Sequence, residues 1–387
     1  MSISNINRVQ LAYIAETTFG TQKTGSNLQI LRITSESFKQ NTEIALSNEI
    51  RSDRQRADVV RTKVNVSGGF GFELSYASFD DFLVAALMSS DWSSLVTVGP
   101  AATISAASAD NSLSDSGSGF GSLVANQWIK TSGFTNAANN GYFKIVSATA
   151  AKIVVSGGTL TNENAGQSVT IRMGPQIVNG TTDTSFNIER TYSDLSNELA
   201  LFTGCTVSQC SLNVATNGIL TGNFDFLGKA ETSETESGGS GYDAVNTNPL
   251  MNSIDHVVGI YENQTSIDVI DFSLTLSNNL RELMKVGHLG TIDISAGAVD
   301  VSGSFNAYYE SKTLYDKYLT FTTTSLAKVV EDEDGNAYVI DLPEVKVTDS
   351  GRHAGEGGGN DFKTPCTFQA FRDSSEDVTI RIAKFAA

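Results

Sequence analysis

The chain has 387 residues, a formal net charge of −17, 34 glycines and three cysteines. That acidity is the wrong sign for ordinary nucleic-acid binding, which neutralises phosphates with Lys and Arg. No run of eighteen apolar residues exists, and the start, Met1-Ser2-Ile3-Ser4-Asn5-Ile6-Asn7-Arg8, lacks an apolar segment, so a soluble, unsecreted product is expected.

Sparse helix formers and abundant Ser, Thr, Gly, Val and Phe predict a mainly β chain. Alternation marks strands at Val9-Gln10-Leu11-Ala12-Tyr13, at Leu28 to Ile33, and from Val64 to Tyr76. In the last of these, Val64, Val66, Gly68, Phe70, Phe72 and Leu74 share one parity and so give the sheet one apolar face. Before that strand lies a long mixed-sign segment, Asn41 to Thr62, with Glu49, Arg51, Asp53, Arg54, Arg56, Asp58 and Arg61. It is too polar for a core, and its paired signs without Gly or Pro are unlike a linker.

After the strand, Ser78 to Met88 reads as an amphipathic helix. Ser78 is the candidate N-cap, and Phe79, Phe82, Leu83, Ala86 and Leu87 form one face. From Val98 to Pro175 the composition turns to Ala, Ser, Thr, Asn and Gly. Charges there (Asp110, Asp115 and Glu163 against Lys130, Lys144, Lys152 and Arg172) sum to +1, which leaves −18 for the rest. Short strands at Gln127 to Ser132, Tyr142 to Ser147, Lys152 to Val155 and Ser168 to Met173 predict a small inserted β domain. It is expected on the outer surface.

The interrupted unit resumes near Thr184 and ends near Gly228. Residues 231 to 256, rich in Ser, Gly, Thr and Glu, read as a linker, and a second unit covers residues 257 to 387, with a Gly-rich loop from Gly355 to Gly359. The domain layout is thus 1–97 with 176–230, an insert at 98–175, a linker at 231–256 and a second domain at 257–387.

The two units echo each other. Val64-Asn65-Val66-Ser67-Gly68-Gly69-Phe70 matches Val299-Asp300-Val301-Ser302-Gly303-Ser304-Phe305, and Ser78 and Asp81 fall on Thr313 and Asp316. Six of the eighteen positions from Val64 to Asp81 are identical, where about one is expected from average residue usage. Upstream, Ser47-Asn48-Glu49-Ile50-Arg51 matches Ser277-Asn278-Asn279-Leu280-Arg281, with five extra residues in the later copy. Two tandem copies of one fold are expected.

No catalytic, cofactor or metal constellation appears. His256, His288 and His353 lie far apart, and the Cys205-x4-Cys210 spacing is not that of a zinc or redox site; on a regular strand these two thiols point to opposite faces. Asp332-Glu333-Asp334-Gly335-Asn336 lacks the distal Glu of a calcium loop and reads as a hairpin turn. Gly117-Ser118-Gly119-Phe120-Gly121 lacks the Lys of a P-loop. Three cysteines, Cys366 being the third, are too few for a disulfide framework, which fits a reducing cytoplasm.

Several stretches resemble the major tail tube proteins of long-tailed bacteriophages. They are Tyr13-Ile14-Ala15-Glu16-Thr17-Thr18-Phe19-Gly20-Thr21, Ser47 to Gln55, Gly69 to Tyr76 with its helix, Glu189-Arg190-Thr191-Tyr192 and Phe202-Thr203-Gly204-Cys205. The resemblance implies two tandem β-sandwich or half-barrel tube domains, each with a flanking helix, closing into rings that stack into a conduit for DNA. It implies that the 41–62 arm, through Glu49, Arg51, Asp53, Arg54, Arg56, Asp58 and Arg61, reaches the neighbouring ring. Two copies per chain then suggest three chains per ring with pseudo-sixfold symmetry, made in the host cytoplasm and located in the virion tail. The implied partners are the chain itself, the tape measure and the tail terminator, with DNA passing without specific binding and no membrane insertion. The alternative is a β-rich adhesin or lectin-like tail protein, in which Phe120, Trp128, Phe134 and Tyr142 of the insert stack on sugars.

Overall fold

The computed structural model describes residues 5–196, 198–351 and 361–387, so His353 and the Gly355–Gly359 loop lie outside the described residues. The fold is mainly β. In the first half the strands are β1 (Val9–Ala15), β2 (Leu28–Ile30), β3 (Ser35–Glu36), β4 (Lys39–Leu46) and β5 (Val59–Glu73). Helix α1 (Asp80–Ala86) follows, then β6 (Ser185–Tyr192), β7 (Leu199–Ala215), β8 (Thr221–Gly228) and β9 (Ala230–Glu234). The second half has β10 (Val257–Glu262), β11 (Thr265–Ser266), β12 (Val269–Ser277), β13 (Asp300–Tyr308), α2 (Thr313–Thr320), β14 (Thr324–Glu331), β15 (Ala337–Ser350), β16 (Lys363–Phe371) and β17 (Arg381–Phe385).

Strand pairing in the two halves corresponds partner for partner. β1 pairs with β2 and β6, β6 with β7, β7 with both β8 and β9, β8 with β5, and β5 with β3 and β4. In the second half β10 pairs with β11 and β14, β14 with β15, β15 with both β16 and β17, β16 with β13, and β13 with β12. Even the irregularities agree. The bulge in β7 between Val207 and Gln209 recurs in β15 between Val347 and Asp349. That first bulge also turns the chain by one position, which brings both Cys205 and Cys210 to the buried face instead of opposite ones.

The shared glycine has a steric cause. A Cβ on Gly68 would lie 2.4 Å from the Ser37 carbonyl oxygen, and one on Gly303 would lie 2.2 Å from that of Ser273. Ser37 and Ser273 are therefore equivalent, and so are Asn41 and Ser277, which pair with Asn65 and Asp300. This register corrects the upstream sequence match. Ser277-Asn278-Asn279-Leu280-Arg281 occupies the place of residues 41–45 and not of Ser47 to Arg51. A short polar match carries no burial constraint, so identity there did not fix position.

On the apolar face of β5, Val66, Phe70 and Phe72 are buried with α1 laid across them. Phe72 stands 4.3 Å from Phe79 and 5.0 Å from Phe224 between ring centroids, and each such ring contributes roughly 1.5–3 kcal/mol by leaving water. Helix α1 begins at Asp80 behind Phe79 with no side-chain cap, because the Ser78 hydroxyl instead lies 2.6 Å from that of Ser75. Asp332 takes the N–H groups of Asp334 and Asn336, closing the hairpin between β14 and β15. The first four residues of the expected 231–256 linker, 231–234, belong with Ala230 to strand β9, paired to β7 at Ala200↔Ser233 and Phe202↔Glu231.

The insert is a sheet of its own, with strands that include Trp128–Ser132, Gly141–Ala148, Lys152–Ser156 and Val169–Met173, over a separate core. It is also bolted to the second half. Trp128 and Tyr142 join Tyr261, Ala327, Val329, Val339 and Phe385 in one buried cluster. Lys144 reaches Asp341 at 3.0 Å, where Arg381 meets the same carboxylate at 3.1 Å.

Candidate assembly edges and arms

One run of the sheet crosses both halves: β4-β5-β8-β7-β12-β13-β16-β15, eight strands, every neighbour antiparallel. The halves are joined where β12 adds to β7, from Gln209↔Ser277 to Ala215↔Asp271. One face of this run is apolar. The other carries Ser211, Asn213, Asn223, Ser273, Thr275 and Ser302, interspersed with Asp225, Asp271 and Asp300 and with Lys39, Lys63, Lys346 and Lys363; none of these side chains belongs to the core.

Alternating antiparallel pairing makes β5 and β13 run in the same direction. The connection before each strand therefore projects from one rim, and the helix after each lies towards the other. The first connection, β4 to β5, is the arm expected from sequence. It is a hairpin whose strands extend from Lys39 to Leu46 and from Val59 onward, closed by residues 47–58. Glu49, Arg51, Asp53, Arg54, Arg56, Asp58 and Arg61 are all brought onto this one arm, and all are exposed. Arg51 grips Asp53 through Nε (3.1 Å) and an Nη (2.7 Å), which holds the Asp53 carboxyl below its usual range. Arg56 donates to the Ser47 carbonyl at 3.0 Å, and the Asp58 carboxylate accepts the Val59 N–H at 2.7 Å.

What the charge pattern hid is an apolar patch. Ile44 (59% exposed), Leu46 (48%) and Val59 (54%) stand in solvent on the same hairpin, with Ile50 at its tip. The alternation Thr42-Glu43-Ile44-Ala45-Leu46 was its signal.

The second arm, residues 278–299 between β12 and β13, has a different fate. It folds back on the first half. The Asn278 side chain donates to the carbonyls of Ala86 and Val207, both at 3.0 Å, and its N–H donates to the Ser208 carbonyl at 2.9 Å. Glu282 binds Lys63 at 2.6 Å and accepts from Asn65, and despite partial burial these contacts hold its carboxyl below the usual range. The turn still exposes Met284, Val286 and Leu289.

The run has free edge at both ends among the described residues: along β4, and on β15 from Lys346 to Ser350, beyond the stretch that β14 and β17 hold up to Val345. Among the described residues, β4 pairs with β5 alone. In the free chain, side chains occupy its outward groups: the Gln40 N–H donates to Glu231 at 2.9 Å, and Arg190 donates to the Phe38 carbonyl and to Glu36, both at 2.6 Å. Charged covers of this kind keep a bare edge from pairing indiscriminately.

Among the described residues no group of three His, Cys, Asp or Glu side chains is placed to hold a metal. The aromatics of the insert, Phe120, Trp128, Phe134 and Tyr142, are buried and so unavailable for stacking on sugars. A family model described as phage tail tube protein matches residues 6–370. No curated protein matches the chain.

Proposed function

Because this chain belongs to the phage tail tube protein family, we propose that it polymerises into closed rings, stacked into the tube through which DNA is delivered to the host. Each chain supplies two tube domains, residues 1–97 with 176–234 and residues 257–387, with 98–175 as the insert. Three chains complete a ring of pseudo-sixfold symmetry. The observation that carries this reading is the eight-strand run with the same joint built once inside the chain and left open at its two ends. A heterologous contact of this kind closes into a ring when its rotation permits.

Three such runs give twenty-four strands. At about 4.8 Å per strand the backbone wall is about 37 Å across before tilt widens it, beyond the 16–18-stranded porins that already leave an aqueous channel. The polar face lines this conduit, and its hydroxyls and amides, with Lys39, Lys63, Lys346 and Lys363 interspersed among Asp225, Asp271 and Asp300, present DNA with no continuous basic track to hold. Both arms lie at one rim and both helices towards the other, so successive rings stack head to tail, with Arg51, Arg54, Arg56 and Arg61 and the acids beside them meeting the next ring. The tape measure and tail terminator are the partners inside and at the end of the tube, and assembly takes place in the host cytoplasm.

Electron microscopy of the purified chain tests the reading. Tubes or stacked rings with three chains per ring are expected, and a chain that stays monomeric at all concentrations overturns it.

A further inference from the structure

The joint inside the chain is a template for the one between chains. Equivalence of the halves places Asn41 on Ser277, Gln40 on Leu276 and Thr42 on Asn278, since Asn41 faces Asn65 where Ser277 faces Asp300. It likewise places Thr348, Asp349 and Ser350 of β15 on Ser208, Gln209 and Cys210 of β7, through the shared bulge. Within the chain, Ser277 faces Gln209, Leu276 faces Cys210, and the Asn278 N–H bonds to the Ser208 carbonyl.

We infer that a second copy of this chain docks β4 against the end of β15 in that same register, with Asn41 opposite Asp349, Gln40 opposite Ser350, and the Thr42 N–H on the Thr348 carbonyl. This rests on the ring reading above and adds to it the surfaces and the register. Edge-strand addition of this kind takes its affinity from main-chain hydrogen bonds and its specificity from the side chains alongside.

Burial supports the occupant independently. Helix α1 stands at the internal joint, and Phe82, Leu83, Ala85 and Ala86 are buried there. Helix α2 holds the equivalent place at the open end of β15 and buries no residue completely; Leu319 (61% exposed) and Phe321 (54%) stand out from it. Phe321 is the counterpart of Ala86, whose carbonyl holds the second arm. The other partner presents Ile44, Leu46 and Val59 on an arm where the described residues leave them exposed. Exposed Phe321 thus stands where the internal joint buries Ala86, and exposed Leu319, Ile44 and Leu46 stand where it has half-buried Val84, Leu280 and Glu282. On docking, the Gln40 N–H leaves Glu231 for the backbone of the incoming strand.

Outward and inward groups alternate along β4, so the joint can be broken without breaking the hairpin. The Ser37 N–H turns inward to Gly69 and the Gln40 N–H outward to Glu231, which makes Thr42 an outward donor as well. Thr42→Pro removes that donor and leaves the β4–β5 ladder intact. We expect its monomer to keep the wild-type circular dichroism spectrum while ring formation falls at least tenfold. Assembly at wild-type concentrations would overturn the inference.

Cross-linking reads the register directly. The native thiols are buried, so Asn41→Cys with Asp349→Cys, oxidised after assembly, should give covalent oligomers ending at a closed trimer on denaturing gels. Lys39→Cys with Asp349→Cys, two residues out of register on the same face, should cross-link at least tenfold less. Tubes that form without the 41–349 cross-link, or with equal yield from both pairs, overturn the joint alone. A wild-type chain that forms no rings overturns the ring reading, and the joint falls with it.

Discussion

Replacing Asp341 tests how firmly the insert is built into the molecule. Its side chain is fully buried in β15, and it receives Lys144 of the insert at 3.0 Å and Arg381 of β17 at 3.1 Å. Lys144 and Arg381 are themselves 8% and 5% exposed, and Arg381 also bonds Glu376 and the Asn126 carbonyl. Removing one partner of a buried pair strands the other charge, which costs about 3–5 kcal/mol. Asp341→Asn strands chiefly Lys144, because Arg381 retains Glu376. Lys144→Met strands less, because Arg381 still answers Asp341 and a methionine fills the space among Trp128 and Tyr142; about 1–3 kcal/mol is expected. The double variant Lys144→Met/Asp341→Leu should recover part of the loss, since neither charge then remains unmatched across the contact. Urea unfolding of the intact chain gives the three values and their coupling. A cost below about 1 kcal/mol for Asp341→Asn would show the pair to be solvated and the insert loosely attached. Substantial coupling instead means that excising residues 98–175 uncovers Asp341 and the apolar surface around Tyr261, Val339 and Phe385, so the deletion should destabilise the second half instead of merely thinning the tube.

Three further outcomes are expected. Reversing Arg51, Arg54 and Arg56 together to Glu should leave single rings without long tubes; since each exposed pair contributes at most about 1 kcal/mol, only the summed change around a ring is decisive, and full-length tubes would remove the arm from ring stacking. Lys328 is buried over the Phe272 ring at 5.5 Å, and burial lowers its pKa to about 7; below the unfolded value of about 10.4 the unfolded chain then binds more protons, so stability should rise from pH 7 towards pH 10 by up to about 1.4 kcal/mol per unit, and a Lys328→Met chain that keeps the slope would refute this. Changing Asp225, Asp271 and Asp300 to Lys should slow DNA release from assembled particles most at low salt, where counterion release binds DNA tightest, and unchanged release kinetics at low salt would take these acids off the conduit wall.

The parts of this structure legible in the sequence are those fixed by local burial. The parity of Val64 to Leu74 survives intact, and the Val-Ser-Gly motif marks β5 and β13 because a neighbouring carbonyl passes within reach of a Cβ in both. The four strands expected in the insert fall within a residue of their limits, while Val96–Ala101, Ile104–Ala107 and Ser112–Asp115 of the same sheet were not expected. What escaped depends on long-range contacts. Nothing local shows that an insert in the first half packs on the second, although single charges inside apolar runs (Lys144 in Phe143-Lys144-Ile145, Asp341 in Ile340-Asp341-Leu342) were its trace. The arm was located by its charges while its apolar residues went unread, and β9 was hidden by a Ser/Thr/Glu composition, since none of its own side chains is buried although it pairs with the buried stretch Leu199 to Thr203.

In the proposed ring, the two halves with matching strand pairing meet different demands at their two joints. At the internal joint the partners are always present, so α1 can bury its face completely, the second arm can lock down through Asn278 and Glu282, and no edge needs guarding. The open joint of the proposed ring must remain soluble until a partner arrives. There the chain keeps α2 only partly buried, and covers the outward groups of Phe38 and Gln40 with Arg190 and Glu231. The position equivalent to Arg190 is Lys328, which faces Phe272 in the completed joint and has no edge to cover. The cation that guards an open strand in one half has become, in the other, a buried amine held against a ring. That exchange is what the proposed ring would require of its two halves: matching pairing, with charge retained at the surface where premature pairing must be prevented.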